Sequence, residues 1–338
     1  MTVAALDIGG ANLKAACLNG PVLSEPFALW KAPDKLPGRL KALLDRLGPV
    51  DRLAITLTAE LCDCYASRRE GVEDVVSAAR AAACGRPVTV WSTDGQLIPA
   101  ETAADQTDRV AAANWHALAT WAGRQWPDQR LLVVDTGSTT TDLIPVLNGQ
   151  VTTCSRTDPG RLRHGELVYI GGDRTPLMAL GPVLNFNGTS TRIMAEWFAT
   201  LGDCRLVTGD LPADPDRTDT ADGRPRTPQA ARRRVLRMIG EDSTTAGKDA
   251  AEQLAEAFLT RAREQLTDAL SGFTDEPDRV ILSGSGASLI RPLLEARWPG
   301  AARTELSEFA GDAASDAACA WALAQLADIL ATETTHEQ

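Results

Sequence analysis

Short apolar runs and helical stripes alternate along the chain, and the alternation occurs twice. Val3-Ala4-Ala5-Leu6-Asp7-Ile8 is apolar except at Asp7 and stops at Gly9-Gly10. That is the pattern of a strand buried on both faces. Leu13 to Leu18 predicts a second strand, turned at Asn19-Gly20-Pro21, so the pair forms a hairpin with a glycine-rich tip. Leu36, Leu40, Leu43, Leu44 and Leu47 recur at helical spacing and predict a helix over 35–47. A strand over 53–58, a helix over 68–83, a strand over 88–91 and an alanine-rich helix over 111–121 complete the first cycle.

The second cycle opens at 131. Leu131-Leu132-Val133-Val134-Asp135 predicts a buried strand, followed by Thr136-Gly137-Ser138-Thr139-Thr140-Thr141, a return strand over 142–146 and a hairpin turn at Asn148-Gly149. The same parts thus recur in the same order, an internal repeat of a supersecondary unit. The stretch 151–230 is irregular and rich in Gly, Pro, Asp and Arg, and reads as an insertion. It is expected to hold short strands near 166–170, a helix over 191–201 and a loop over 212–229. Helices over 228–240 and 247–271, a strand over 280–282, a helix with Leu289, Leu293 and Leu294, and a final helix over 313–330 follow. Residues 331–338 read as a frayed polar tail. The expected division is a first unit over 1–125 and a second over 126–338, the second carrying the insertion and a C-terminal helix that packs back on the first. The fold class is α/β.

Composition narrows the partners. In 338 residues, 34 Lys and Arg stand against 45 Asp and Glu, a net charge of −11. Nucleic acid and anionic membranes are disfavoured as partners by long-range repulsion, whereas a small anionic substrate responds to the local field of its pocket. Only five of the cations are lysines: Lys14, Lys31, Lys35, Lys41 and Lys248. Seven scattered cysteines are not a disulfide framework, and Cys62 and Cys64 read as inert thiols. Three histidines argue against zinc. No leader-like segment and no run of 18 apolar residues is present, so a cytoplasmic protein is expected, with homo-oligomer formation left open.

Three turns carry the candidate chemistry. In the first, Gly9 and Gly10 let backbone N–H groups approach an anion, Asn12 adds an amide and Lys14 a point charge suited to phosphate. Asp7, at the strand end, is a candidate ligand for a divalent cation. Alone, this is also an ordinary hairpin. In the second, Asp135 and Asp142 bracket Gly137 and the hydroxyls of Thr136, Ser138, Thr139, Thr140 and Thr141. A hairpin does not need that cluster to fold; a site for phosphate oxygens and hydrated Mg²⁺ does. The third, Ser283-Gly284-Ser285-Gly286, follows a strand and opens a helix, so it is either an anion site at a helix N-terminus or a tight connection.

The three turns in this order resemble the actin, sugar-kinase and Hsp70 (ASKHA) superfamily. The resemblance implies two related domains facing across a cleft, the first two turns as phosphate loops and the third near a nucleoside or its equivalent. Further strings are Leu6-Asp7-Ile8-Gly9-Gly10-Ala11-Asn12-Leu13-Lys14, Thr56 to Asp63, Ala113-Asn114-Trp115, Asp135 to Asp142, Gly165 to Tyr169, Arg174-Thr175-Pro176 and Thr220 to Pro225. These look like the hydantoinase/oxoprolinase-related proteins of tetrahydromethanopterin-linked C1 transfer, whose archaeal members build methanofuran. That resemblance implies a transferase that joins a furan-methyl diphosphate to the phenol of a tyramine-type acceptor and releases diphosphate, with Mg²⁺ as cofactor. It implies Lys14, Glu60 and Asp135 as catalytic groups and Asp7, Asp135 and Asp142 as metal ligands. Gly9, Gly10, Asn12, Gly137, Ser138, Thr139, Thr140, Gly284, Ser285 and Gly286 would hold the phosphates. Gly172-Asp173 departs from the more basic pattern expected before Arg174.

Other candidates have two readings each. Glu60 and Asp63 are either a base near the phenol or solvated loop carboxylates. Asn114 lines the cleft, with Trp115 beside it or in the core. Glu166 and Arg174 either read a substrate amine and carboxylate or pair on the surface. His164, flanked by Arg161 and Arg163, is expected to be exposed, and Arg232-Arg233-Arg234 to be a solvated helix face. Two rival functions share the turns: an ATP-dependent small-molecule kinase or hydantoinase-like ATPase, and a non-catalytic ASKHA binding protein.

Overall fold

The computed structural model describes residues 2–336. The first sheet starts as an antiparallel meander of β1 (Val3–Gly9), β2 (Asn12–Cys17) and β3 (Val22–Pro26). β4 (Arg52–Thr58) and β5 (Val88–Trp91) then add in parallel beside β1, and β6 (Leu97–Pro99) closes the edge antiparallel. The order is β3-β2-β1-β4-β5-β6. The parallel steps need crossovers, and the helices Leu36–Leu47 and Arg68–Ala83 supply them. The leucines expected to line the first of these are all buried.

The second sheet repeats the plan. β7 (Leu131–Thr136) and β8 (Thr141–Leu147) form the hairpin, and β9 (Gln150–Val151) and β10 (Leu167–Val168) both pair with β8. A separate hairpin, β11 (Val183–Phe186) with β12 (Thr189–Arg192), lies in the insertion. β13 (Arg279–Ser283) and β14 (Ala302–Glu305) then add in parallel beside β7. The order β10-β8-β7-β13-β14 matches β3-β2-β1-β4-β5 of the first sheet strand for strand. This duplicated α/β plan is the ASKHA fold expected from the sequence.

Each sheet has its own core, and a third buried cluster joins them. The third holds Val3, Ala5 and Ala54 from the first sheet, Val133, Ile144 and Ile281 from the second, and between them the helices Asn114–Gln125 and Ala318–His336. Their inward faces are largely alanine, with Trp115 and Trp121 as the bulky fillers, so helix and sheet backbones approach closely without voids. No helix among the described residues is long and apolar enough to cross a membrane.

The structure adds β3, β6 and β14 to the sequence reading and differs from it elsewhere. The helix expected over 191–201 is instead β12 and an irregular link, and the helix there runs Leu201–Thr208. The hairpin forms because Asn187 and Gly188 both take positive φ (51° and 73°), the tight-turn signal of an Asn-Gly pair. Thr200 and Asp203 then cap the helix reciprocally. The final helix breaks into Asp312–Asp316 and Ala318–His336, and the second piece runs through most of the expected tail. Arg124 clasps Glu333 at 2.8 Å and ties that end down, while residues 337–338 lie outside the described residues.

Two arginines follow. His164 is exposed as expected, but Arg161 beside it is 1% exposed. Arg234 is not on a solvated face: its side chain is fully buried, with Nε and Nη2 donating to Asp203 Oδ1 at 2.9 and 2.6 Å and Nη1 to Asp222 Oδ1 at 3.0 Å. Removing it leaves the buried Asp203 without its cation, while Asp222 keeps Arg237 and Arg224 at 3.7 and 3.9 Å. Arg234→Met is therefore expected to lower unfolding free energy by about 3–5 kcal/mol, read from urea titrations of both proteins. A loss below about 1 kcal/mol, the size of a surface pair, would show that the cluster has no such role.

Candidate active site

The duplicated hairpins set two aspartates face to face across a cleft of about 340 Å³. In β1 and β2 the register places Asp7 opposite Lys14; in β7 and β8 it places Asp135 opposite Asp142. At this end of the cleft the first turn contributes Gly9, Gly10 and Asn12, and the second contributes Gly137, Ser138, Thr139 and Thr140.

The charges here are coupled. Burial pushes the Asp7 carboxyl up, Lys14 opposes that push and Asp135 adds to it. Burial also works against the Lys14 ammonium, yet its pKa is raised, with Asp7 first and Asp135 next among the groups that oppose burial. Lys14 thus stays protonated, and among the described residues no ion pair within 4.0 Å occupies it. Asp135 is held from behind. Its Oδ1 accepts from Ser283 Oγ at 2.7 Å and its Oδ2 from the Cys319 thiol at 3.8 Å. Burial and Asp135 keep that thiol protonated. Asp7 Oδ1 is buried without a hydrogen-bond partner.

Asp142 differs from Asp7 and Asp135. Arg161 Nη1 donates to it at 2.8 Å, and burial raises its pKa to about 6 against that attraction. Arg161 Nη2 donates to the Glu166 carbonyl at 3.0 Å, and the guanidinium lies 3.9 Å from the Trp115 ring centroid. The expected ligand role of Asp142 therefore gives way to a buried ion pair. Among the described residues no three His, Cys, Asp or Glu converge as a metal cage. Hydrated Mg²⁺ does not need one: it binds through one or two carboxylates plus waters and phosphate oxygens. The orphaned Asp7 Oδ1, with Asp135 across the cleft, fits that requirement.

The third turn is a buttress. Gly284, Ser285 and Gly286 do not line the cleft. At Gly284, φ is +90° and a Cβ would lie 2.2 Å from the Thr136 carbonyl oxygen. Gly286 N donates to that same oxygen at 2.8 Å. From the other side, Gly172 N donates to Gly137 O at 2.9 Å, and Arg174 N to Ser138 O at 2.7 Å. The second turn is clamped between these two backbones, and the glycines at 284–286 serve that approach instead of an anion.

At the mouth, Glu60 is 2% exposed, its Oε2 has no partner, and burial pushes its pKa up to about 7. Its backbone reaches that position because Gly71 faces it; a Cβ there would sit 2.3 Å from Glu60 O. Asp63 is exposed and lies outside the lining. So does Glu166, which is buried with Oε1 accepting from Cys154 N at 2.6 Å, so it does not face a substrate amine. Arg174 lies 5.1 Å from the Trp30 ring centroid, and both line the cleft. Asn114 lines it too, with Oδ1 accepting from Trp115 N at 2.8 Å, and Trp115 is both core and lining. Sequence reasoning passed over Trp30, Asp158, Arg161 and Tyr169. A signal existed for three of them. Thr157-Asp158-Pro159 is a helix start that places Arg161 one turn on, and Tyr169 is one of only two tyrosines.

Comparison with known proteins adds a family. The hydantoinase/oxoprolinase family model matches residues 51–332. The chain is 32% identical over 297 residues to the (4-{4-[2-(gamma-L-glutamylamino)ethyl]phenoxymethyl}furan-2-yl)methanamine synthase of Methanocaldococcus jannaschii, covering 86% of this chain and 88% of that one. A synthase of the same name from Methanococcus vannielii is 28% identical over 169 residues, covering 49% and 76%. Among solved structures, component A of the Acidaminococcus fermentans (R)-2-hydroxyglutaryl-CoA dehydratase aligns with TM-score 0.47 at 11% identity, over 97% and 99% of the two chains. An archaeal actin homologue in complex with ADP gives 0.46 at 14%, over 97% and 99%. The chain spans 42% of the acetone carboxylase chain, which it matches over 78% of its own length with TM-score 0.43 at 14% identity.

The buried Glu60 carboxyl makes stability depend on pH in a defined direction. Its folded pKa of about 7 exceeds its ordinary 4.5, so the folded state holds the proton more tightly. The group is neutral to stability below its ordinary pKa and subtracts progressively as pH rises through about 7. Glu60→Gln removes that slope. The variant is expected to match wild type near pH 4 and to gain at about pH 8, by about 3 kcal/mol at most. Urea titrations at both pH values read this; parallel stability curves for the two proteins would refute it.

Proposed function

The chain belongs to the hydantoinase/oxoprolinase family and resembles its methanofuran-building synthases, and from that premise we propose a transferase that forms an aryl-alkyl ether. The donor is a furan-methyl diphosphate, the acceptor a phenol of the tyramine type, and diphosphate leaves. The observation that carries the reading is one cleft with two kinds of lining: glycine amides, hydroxyls and an unpaired Lys14, and beside them the apolar and aromatic side chains of Trp30, Leu61 and Tyr169. The first suits a diphosphate and the second suits flat rings.

In this reaction the phenol oxygen attacks the furan methylene carbon. The C–O bond to the diphosphate breaks, and its electron pair departs with the leaving group. The electron-rich furan stabilises positive charge on the methylene. The first and second turns donate N–H and O–H groups to the departing oxygens, and the Lys14 ammonium adds charge where it develops. Mg²⁺ held by Asp7 and Asp135 would neutralise part of the diphosphate charge. Glu60 Oε2 takes the phenol proton; a carboxyl held near pKa 7 is partly ionised at neutral pH and a stronger base than an ordinary carboxylate. The clamped second turn keeps its donors fixed during the step. The ATP-dependent reading uses the same first two turns, but its nucleoside end has no counterpart from the third turn, which is packed against Thr136.

The test incubates the protein with Mg²⁺ and either the furan-methyl diphosphate plus a tyramine-type acceptor or ATP plus the acceptor. Ether and diphosphate in equal amounts are expected from the first mixture. ADP without ether would replace this reading with the kinase or ATPase one. Lys14→Met is expected to lower kcat by about 10²–10³-fold, and Glu60→Gln by about 10²-fold, both with unchanged circular dichroism. No product in either mixture, with fold and ligand binding intact, would favour a non-catalytic binding protein.

A further inference from the structure

One wall of the cleft carries negative charge that the reaction above leaves without a counter-ion. Asp158 lines the cleft, half-buried, at the start of the helix Asp158–His164. Among the described residues neither a hydrogen bond nor an ion pair within 4.0 Å holds its carboxylate. Glu60 is near enough that Asp158 adds to the upward push on it, and Glu60 Oε2 is the buried, unpartnered oxygen on this wall. Arg161 is engaged by Asp142 and the Glu166 carbonyl, and Arg68 is the other cation that Asp158 and Glu60 feel. Tyr169 shares the wall: it is 66% exposed, and burial together with Asp158 and Glu60 raises its phenol pKa.

A buried carboxyl without a hydrogen-bond partner, beside a free carboxylate and an exposed ring, lacks a cation that arrives with the ligand. We propose that Asp158 and the face of Tyr169, beside Glu60, form a subsite for the primary ammonium group of an arylalkylamine substrate. The substrate class rests on the transferase reading: the product for which the related synthases are named carries a primary methanamine on its furan ring. An ammonium has three donors and no acceptor, so it suits a carboxylate, and its charge is drawn to a ring face. Once bound it also opposes the burial that keeps Glu60 protonated, so the group that docks also favours the ionised base. Glu166, from which this contact was expected, is shut behind the wall.

Calorimetric titration of the intact protein with furfurylamine, tyramine and furfuryl alcohol tests the subsite without turnover. Wild type is expected to bind furfurylamine at least about tenfold more tightly than the alcohol. Asp158→Asn is expected to cut that preference to within about twofold while leaving alcohol affinity unchanged, which also reports its fold. Asp158→Glu is expected to retain it. Tyr169→Leu, at an exposed position, is expected to lower it about threefold. A loss confined to tyramine assigns the subsite to the acceptor; a loss confined to furfurylamine assigns it to the donor. Equal binding of amine and alcohol by wild type, or a preference that survives in Asp158→Asn, overturns the proposal. Ether formation is assayed in parallel. Amine preference without ether overturns the transferase reading alone, and ether without amine preference overturns the subsite alone.

Discussion

Asp7 and Asp135, two carboxylates buried at the ends of the two central strands, share the field of one ammonium. Like charges out of water raise each other's cost, and each structural feature around the pair reduces it. Lys14 supplies the cation, from the strand position directly opposite Asp7. Ser283 and Cys319 satisfy Asp135 from strand and helix behind it. What stays unsatisfied is Asp7 Oδ1, and both Asp7 and Lys14 line the cleft a charged ligand would occupy. A protein of net charge −11 can therefore hold an anion, because the relevant field is that of a few groups in a low-dielectric cleft and not the sum over the surface.

Fixed donors need a fixed backbone, and the second turn is fixed by approach and not by bulk. Its carbonyls at Thr136, Gly137 and Ser138 are taken up by amides of residues 286, 172 and 174. Those amides are fixed in turn. Arg205 reaches the Gly172 carbonyl and the Ser288 hydroxyl, and Asp173 is gripped by both terminal nitrogens of Arg226 at 2.7 and 2.8 Å. Gly172-Asp173, a departure from the expected basic pattern, is thus explained by packing: residue 172 has no room for a side chain beside Gly286, and residue 173 needs a carboxylate for Arg226.

The parts of the site legible in the sequence are those built from one continuous segment. Asp7 to Lys14 and Asp135 to Asp142 each carry strand, turn and return strand together, so period and turn chemistry sufficed. The four inner strands of the first sheet and its two crossover helices were legible for the same reason, since Leu36 to Leu47 and Arg68 to Ala83 follow helical spacing, whereas the short edge strands β3 and β6 carry no such period. What the sequence hid depends on pairs far apart. Nothing local marks Arg161, which follows Gly160 in a run with Arg163 and His164, as buried; its partners are Asp142, nineteen positions earlier, and Trp115. Arg234 reads as a solvated charge until Asp203 and Asp222 arrive. Ser283-Gly284-Ser285-Gly286 carries the composition of an anion loop, and nothing local distinguishes donating amides to a ligand from donating them to Thr136.

The two halves share a topology but not a charge pattern, and that difference gives the insertion a role. At the equivalent register position the first hairpin places Lys14 opposite its aspartate, whereas the second places Asp142 opposite Asp135. Left alone, the second half would bury two facing carboxylates, and one would have to stay protonated or pair. The cation that pairs with it, Arg161, comes from the segment after β8, on the short helix that begins the insertion. The same helix carries Asp158 into the cleft, and the strip that follows brings Tyr169 and Arg174. The segment that neutralises the second hairpin is therefore also the one that furnishes the mouth. A duplicated hairpin alone gives two anion-type turns; the asymmetric insertion adds Asp158, Tyr169 and Arg174 to their shared cleft, side chains of different chemistry.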